Sequence, residues 1–222
     1  MQFIYVKECG SSSLTLDVKE YAHIFKVRRV KLGSNLFLRN LVDDFVYEYK
    51  IEDISKKVAT LTLIEKKELQ KKPQKELHVG WCVVDVKTVE KTLAMLNEMG
   101  VTKISFVYAD YSQTHFKLDS ARLQRILINS CEQCGRSDLM EFETIQSVKE
   151  FLELYTESIV IDFSEKSFEE NLTCKTFLVG PEGGFSDKER KLFTDRDIYG
   201  LKAGVILRSE TAVVGVCAKL SL

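Results

Sequence analysis

Past residue 77 the chain alternates apolar runs with amphipathic stretches that carry their own end signals, and this rhythm restricts the fold more than any other feature. Apolar runs stand at Val79–Val84, Ile104–Tyr108, Ile159–Phe163 and Thr176–Val179. Between or after them lie helical patterns. Asp85 is placed to cap a helix that Gly100 stops, Asp119 one that Gly135 stops, and Thr144 one running to about Tyr155. Strands alternating with helices at this spacing predict an α/β domain whose mostly parallel sheet is covered on both faces.

The first 66 residues read differently. Ser34–Leu41 and Asp44–Ile51 flank a turn at Asp43-Asp44, and Lys57–Glu65 alternates in the same way, which predicts a small β-barrel. Within it, Tyr21–Val30 reads as a short helix carrying Lys26, Arg28 and Arg29, with Lys31 just beyond. A polar stretch from about 67 to 76, which holds Pro73, reads as a linker. The expected domains are therefore 1–66 and 77–222. Of the 222 residues, the first 76 carry a net charge of +4 and the remainder −5. A basic front half permits a polyanionic partner without demanding one, because solvated surface charge explains the count equally well.

Several classes are excluded at this stage. Apolar runs such as Trp81–Val84 fall far short of the ~20 residues that span a membrane. Lys7 and Glu8 interrupt any signal-peptide core, so a cytoplasmic protein is expected. The six cysteines are scattered, which predicts free thiols. Only Cys131 and Cys134 form a CxxC, no second Cys or His pair completes a zinc set, and His23, His78 and His115 stand far apart. No metal site is expected.

Three stretches carry chemistry. Thr176–Val179 runs into Gly180-Pro181-Glu182-Gly183-Gly184-Phe185, after which Ser186 and Glu189 have capping-box spacing. Glycines there let a ligand approach the backbone, at the carboxyl end of a strand where open α/β sheets bind their ligands. An ordinary tight turn accounts for the same residues. The loop is neither GxGxxG nor a P-loop, and Glu182 would repel a phosphate. The second stretch is Ala203 to Ala212, read as an apolar strand, then Arg208-Ser209-Glu210-Thr211, then a helix. Ser209 and Glu210 fit a helix start, whereas an arginine beside a buried strand calls for a partner. The third is Cys131-Glu132-Gln133-Cys134-Gly135-Arg136, where Gly135 serves as a helix stop.

In this order, GPEGGF, ILRSETA and CEQCGR resemble the ribosomal RNA small subunit methyltransferase E family, of the SPOUT class. Lys26–Val30 with Gly33 is similar to the basic motif of that family's PUA-like barrel, and Glu98-Met99-Gly100-Val101 to its ELGV. The resemblance spans essentially the whole chain. It implies a PUA-like β-barrel ahead of a trefoil-knotted α/β methyltransferase domain, an exception to the unknotted rule. It implies a homodimer that binds S-adenosylmethionine and methylates N3 of a uridine in 16S rRNA of the small ribosomal subunit.

Carried onto this sequence, the family pattern places Leu178, Val179, Gly180, Pro181, Glu182, Gly183 and Gly184 along the cofactor. Ala203, Ile206, Leu207, Ser209, Thr211 and Ala212 would complete its site. Arg208 and Glu210 would be catalytic, and Lys26, Arg28, Arg29, Lys31, Gln133 and Arg136 would contact RNA. The chain departs from the family pattern at Met95, Gln113, Met140, Ala203 and Val205, which removes several basic positions. Two rivals stand beside this reading: a non-catalytic RNA-binding or ribosome-assembly protein of the same fold, and a nucleotide-dependent enzyme of another chemistry.

Overall fold

A computed structural model describes residues 2–16, 24, 31–55, 58–113, 118–168 and 174–221. Of the expected helix over Tyr21–Val30 only Ile24 is described, and Lys26, Arg28 and Arg29 lie outside the described residues. The chain divides into two compact units, Met1–Lys72 with Ile128–Leu139, and Pro73–Leu127 with Met140–Leu222.

The first unit is built on a five-stranded sheet of β1 (Ile4–Tyr5), β2 (Ser13–Leu16), β3 (Asn35–Arg39), β4 (Phe45–Ser55) and β5 (Val58–Glu68), in the order β1-β3-β4-β5-β2. β1 lies parallel to β3; the other pairs are antiparallel. Alternation sorts the side chains, so that Leu14 and Leu16 of β2 turn inward to meet Leu36, Leu38, Tyr49 and Leu61. Arg39 is buried, and its guanidinium donates to the carbonyls of Phe45 (3.3 Å) and Leu69 (2.6 Å), which offsets the cost of desolvating the charge. β5 runs on to Glu68, so the expected linker starts two residues late. Lys66 is ordered there by its ammonium lying 3.7 Å from the Phe45 ring centroid.

Residues 128–139 join this unit for visible reasons. Cys131 packs with Phe3 and Leu41, the Glu132 carboxylate accepts the Tyr5 N–H at 2.7 Å, and Ser137 exchanges hydrogen bonds with Lys71.

The second unit carries six parallel strands: β6 (His78–Cys82), β7 (Lys103–Val107), β8 (Glu141–Ile145), β9 (Ile159–Ile161), β10 (Thr176–Val179) and β11 (Ile198–Tyr199). Their order is β11-β9-β10-β6-β7-β8. The helices are α1 (Val86–Glu98), α2 (Ser120–Cys134, whose last turns belong to the first unit), α3 (Val148–Leu154), α4 (Asp187–Arg190) and α5 (Ser209–Ser221). Asp85 caps α1 by accepting from the amides of Lys87 and Thr88, and Gly100 follows the helix at φ +82°. Asp119 accepts from Arg122 N at the start of α2, and Gly135 ends it at φ +84°.

Two expectations are corrected. Thr144 belongs to β8, and the cap of α3 is Ser147, whose hydroxyl accepts the Glu150 amide at 3.1 Å. Residues 203–207 form no strand. Gly204 takes φ +69°, which breaks an extended run, and Val205 and Ile206 stand 72% and 81% exposed.

The core of the sheet holds Trp81, Phe106, Phe151 and Phe177, all fully buried. Gly80 is dictated by packing, since a Cβ there would enter the Phe151 ring of α3. The amino-terminal half of the sheet carries a closed polar network. His78 Nε2 lies 2.7 Å from Ser105 Oγ, which donates to Glu143 Oε1 at 2.6 Å; the Tyr155 hydroxyl donates to the same oxygen at 2.6 Å. Lys103 Nζ donates to Tyr155 at 2.8 Å and lies 3.1 Å from Glu143. Because the Ser105 hydrogen goes to Glu143, the hydrogen of neutral His78 must sit on Nε2. Burial, with Lys103 adding to it, pushes the His78 pKa down to about 4.

Candidate active site

The carboxyl ends of β9, β10 and β11 open onto one cleft, as parallel strands require. It encloses about 190 Å³ and is walled by three segments. Residues 161–164 follow β9, residues 179–185 follow β10, and a third stretch runs from Gly200 past Val205–Leu207 to Ala212 of α5.

Each wall has a local cause. After β10 the Pro181 carbonyl accepts the Gly184 amide at 2.9 Å, and Gly184 takes φ +70°, a conformation that favours glycine. The turn then feeds a capping box in which Ser186 Oγ accepts Glu189 N at 3.2 Å, while Glu189 accepts Ser186 N at 2.8 Å. The same pair grips the loop after β7: Ser186 Oγ donates to Asp110 at 2.5 Å, and Asp110 N donates to Glu189 at 2.9 Å. Asp162 is held by Arg190, whose Nε and Nη2 lie 2.9 and 3.4 Å from its two oxygens. Gly200 is fixed by close approach, because a Cβ there would strike the Ser164 carbonyl oxygen.

The two glycine- and serine-bearing turns meet directly. Ser209 Oγ donates to the Gly180 carbonyl at 2.5 Å and accepts the Trp81 indole N–H at 2.8 Å. Its hydroxyl therefore bridges strand and loop instead of capping α5. Arg208 is 81% exposed, with Nη1 4.0 Å from Glu210 Oε1, so its charge is solvated and needs no buried partner. Glu210 Oε2 is buried without a hydrogen-bond partner among the described residues.

Of the expected cofactor residues, Val179, Gly180, Pro181, Glu182, Gly184, Ile206, Leu207, Ser209 and Ala212 line the cleft. Leu178 is buried in the core one residue earlier, and Gly183 turns towards Tyr111, whose Cβ would lie 3.1 Å from an added Cβ. Ala203 and Thr211 are exposed and do not line it. Sequence reasoning missed the whole wall from Ile161 to Ser164, together with Phe185, Gly200, Leu201 and Val205. In the sequence the run Ile159–Phe163 reads as strand alone, and which strand ends share a cleft is set by the order of the sheet.

Comparison with known proteins decides the family. Residues 70–221 match the family described as RNA methyltransferase domain, and residues 16–64 match the RNA methyltransferase PUA domain. A protein of Helicobacter pylori named ribosomal RNA small subunit methyltransferase E is 41% identical over 98% of both chains. The chain belongs to the ribosomal RNA small subunit methyltransferase E family. Its relative of that name in Aquifex aeolicus is 29% identical over 99% of both chains. Among solved structures, the family member from Neisseria gonorrhoeae bound to S-adenosyl methionine superposes with a TM-score of 0.83. It has 22% identity and covers 98% of this chain and 95% of its own. A Legionella pneumophila methyltransferase in complex with bound SAM gives the same TM-score and identity, with coverage of 99% and 97%.

For this family member the lining chemistry fits an adenosyl sulfonium. Among the described residues the cleft is lined by the carboxylates Asp162 and Glu182 and by no Lys, Arg or His. Such a wall suits a ligand that is apolar on its faces and cationic at its centre, and it disfavours a phosphate-bearing nucleotide. Three large apolar side chains, Phe163, Val205 and Ile206, are exposed around it. Among the described residues no group of acids, histidines and cysteines could hold a metal, and no helix is long and apolar enough to cross a membrane. Of the expected RNA contacts in the first unit, Lys31 and Gln133 are exposed. Arg136 is buried, its Nε and Nη2 pairing with the two Asp138 oxygens at 3.0 and 2.9 Å, so it braces the end of α2.

Proposed function

We propose that the chain transfers the methyl group of S-adenosylmethionine to N3 of a uridine in 16S rRNA, in the small ribosomal subunit of the cytoplasm. The observation that carries this reading is the cleft itself: two carboxylates and, among the described residues, no cationic side chain in its lining, with the exposed Arg208 guanidinium next to it in the chain, 4.0 Å from Glu210. The names of the relatives, and the cofactor of the Neisseria gonorrhoeae and Legionella pneumophila structures, support it.

Val179, Gly180, Pro181, Glu182, Gly184, Ile206, Leu207 and Ala212 hold the donor, and Asp162 and Glu182 favour its positive charge. When bound, S-adenosylmethionine supplies an electrophilic methyl on a sulfonium. Uracil N3 carries a proton, and its nitrogen becomes nucleophilic as that proton leaves. Negative charge then develops on O2 and O4, where the exposed Arg208 offers N–H donors. Glu210 stands at the start of α5 with one carboxylate oxygen unengaged and 4.0 Å from Arg208 at the other. It accepts the N3 proton or orients Arg208. Water is kept from the donor by Phe163, Val205 and Ile206.

The N-terminal unit, with Lys26, Arg28, Arg29, Lys31 and Gln133, holds the RNA by its phosphates. The reading includes the knotted C-terminal topology and a homodimer. For the dimer the support is α5, whose Val214, Gly215, Ala218 and Leu220 are half-buried and apolar while Val213, Val216 and Cys217 fill the interior. Mass spectrometry of nucleosides from the 16S rRNA of a deletion strain tests the proposal. N3-methyluridine should vanish and return with the wild-type gene but not with Arg208→Ala; its persistence in the deletion strain would refute the assignment.

A further inference from the structure

The chain has a single tryptophan, and it is fully buried in β6, one strand away from the cleft. Its ring packs in the core, but its N–H points at the site. Trp81 Nε1 donates to Ser209 Oγ at 2.8 Å, and Ser209 Oγ donates to the Gly180 carbonyl at 2.5 Å. The three groups form a directed relay from the centre of the sheet, through the first residue of α5, to the first residue of the glycine-rich turn. We propose that Trp81 is a positioning residue for the donor-binding turn, acting through Ser209 on the Gly180–Pro181 peptide.

The chemistry of that peptide gives the relay its importance. Pro181 has no N–H, so the Gly180 carbonyl is the peptide's sole hydrogen-bonding group. Pinning it fixes the peptide plane. The next carbonyl, that of Pro181, closes the turn onto Gly184 N at 2.9 Å. The relay therefore sets the first plane of a turn whose second plane is already set, and Gly180, Pro181, Glu182 and Gly184 all line the cleft. Alone, a serine hydroxyl in the first turn of a helix would bond to its own backbone. The indole N–H occupies an acceptor site on Ser209 and directs its single hydrogen towards Gly180. Phenylalanine would fill most of the same space without supplying that N–H, so packing and hydrogen bonding can be separated.

The proposal rests on the methyl-transfer reading above, and its test separates the two. The full chain is assayed for methyl transfer from S-adenosylmethionine to small-subunit rRNA. Trp81→Phe should raise the KM for S-adenosylmethionine about fivefold with kcat within twofold. Ser209→Ala should raise it at least tenfold, Ser209→Thr should restore it to within threefold of wild type, and Trp81→Phe added to Ser209→Ala should do nothing more. A KM for Trp81→Phe within twofold of wild type, or additive effects in the double variant, would overturn the role. Should Trp81→Phe fail to fold, the fluorescence of Trp81 in Ser209→Ala decides: the indole loses its acceptor and its emission shifts to shorter wavelength, whereas unchanged emission refutes the relay. A wild type that transfers no methyl would refute the functional reading and the positioning role with it, while the emission shift would still report whether the relay exists.

Discussion

The two ends of the second unit's sheet solve the same problem in opposite ways. At the amino-terminal half, His78, Ser105, Glu143, Lys103 and Tyr155 satisfy one another at 2.6 to 3.1 Å. Burial works against the Glu143 carboxylate, yet hydrogen bonds from Ser105, Tyr155 and Lys103 overcome it and hold its pKa below the usual range. At the carboxyl end, Arg208 faces solvent, Glu210 Oε2 is buried without a partner among the described residues, and Phe163, Val205 and Ile206 are exposed. One end is a finished polar network and contributes to stability. The other leaves apolar faces exposed and one buried carboxylate oxygen unsatisfied among the described residues, which is what a ligand requires. Polarity alone does not mark a site; unfulfilled interaction does.

Substitutions break the comparison most sharply at Gly200. Gly200→Ala drives a Cβ into the Ser164 carbonyl oxygen, which has no side chain to move aside. We expect S-adenosylmethionine binding to weaken more than 100-fold by calorimetry, with ~2–4 kcal/mol of stability lost. Affinity within threefold of wild type would mean the 161–164 wall is not part of the site. Next comes Arg208→Ala. Transfer should fall by about 10²–10³, as for loss of one charge-stabilising donor, while cofactor affinity stays within about tenfold. Because the side chain is 81% exposed, the melting temperature should not move.

At the other end the expected effect is on stability. An ordinary histidine titrates near 6.5, and in the folded chain His78 does so at about 4. Between those values the unfolded state binds more protons, so stability is full above pH 6.5 and declines as pH falls towards 4, by at most roughly 3 kcal/mol. Denaturant melts at pH 7 and pH 5 measure it. In His78→Gln that dependence should flatten with cofactor affinity at pH 7 preserved; an unchanged slope would locate the proton elsewhere. The smallest effect belongs to Asp162→Asn, which removes the charge facing Arg190 at 2.9 Å. A three- to tenfold rise in KM for S-adenosylmethionine is expected, and a KM that falls would show that the carboxylate opposes the donor.

What could be read in the sequence followed from local rules. Asp85, Gly100, Asp119, Gly135 and the Ser186–Glu189 box act within four residues of chain, and each stands where its spacing put it. GPEGG and RSETA were legible for the same reason, as turn chemistry. Thr144 was misread because Ser147, three residues on, offers an equal cap, and only the pairing of β8 with β7 decides between them. The 161–164 wall and the Trp81–Ser209 bond were illegible. They join residues 28 to 128 positions apart, and no local pattern encodes such a meeting. Residues 128–139 escaped likewise: their attachment depends on Glu132 reaching Tyr5 N, 127 positions away.

The uniform direction of the six strands has a further consequence for how such a chain can change over generations. Substitutions that alter what is held fall in segments entered after a strand has finished. Those that threaten folding fall where strands begin or run. The two kinds of risk are thereby kept on separate parts of the chain, so new specificities can be sampled at the rim without gambling the interior.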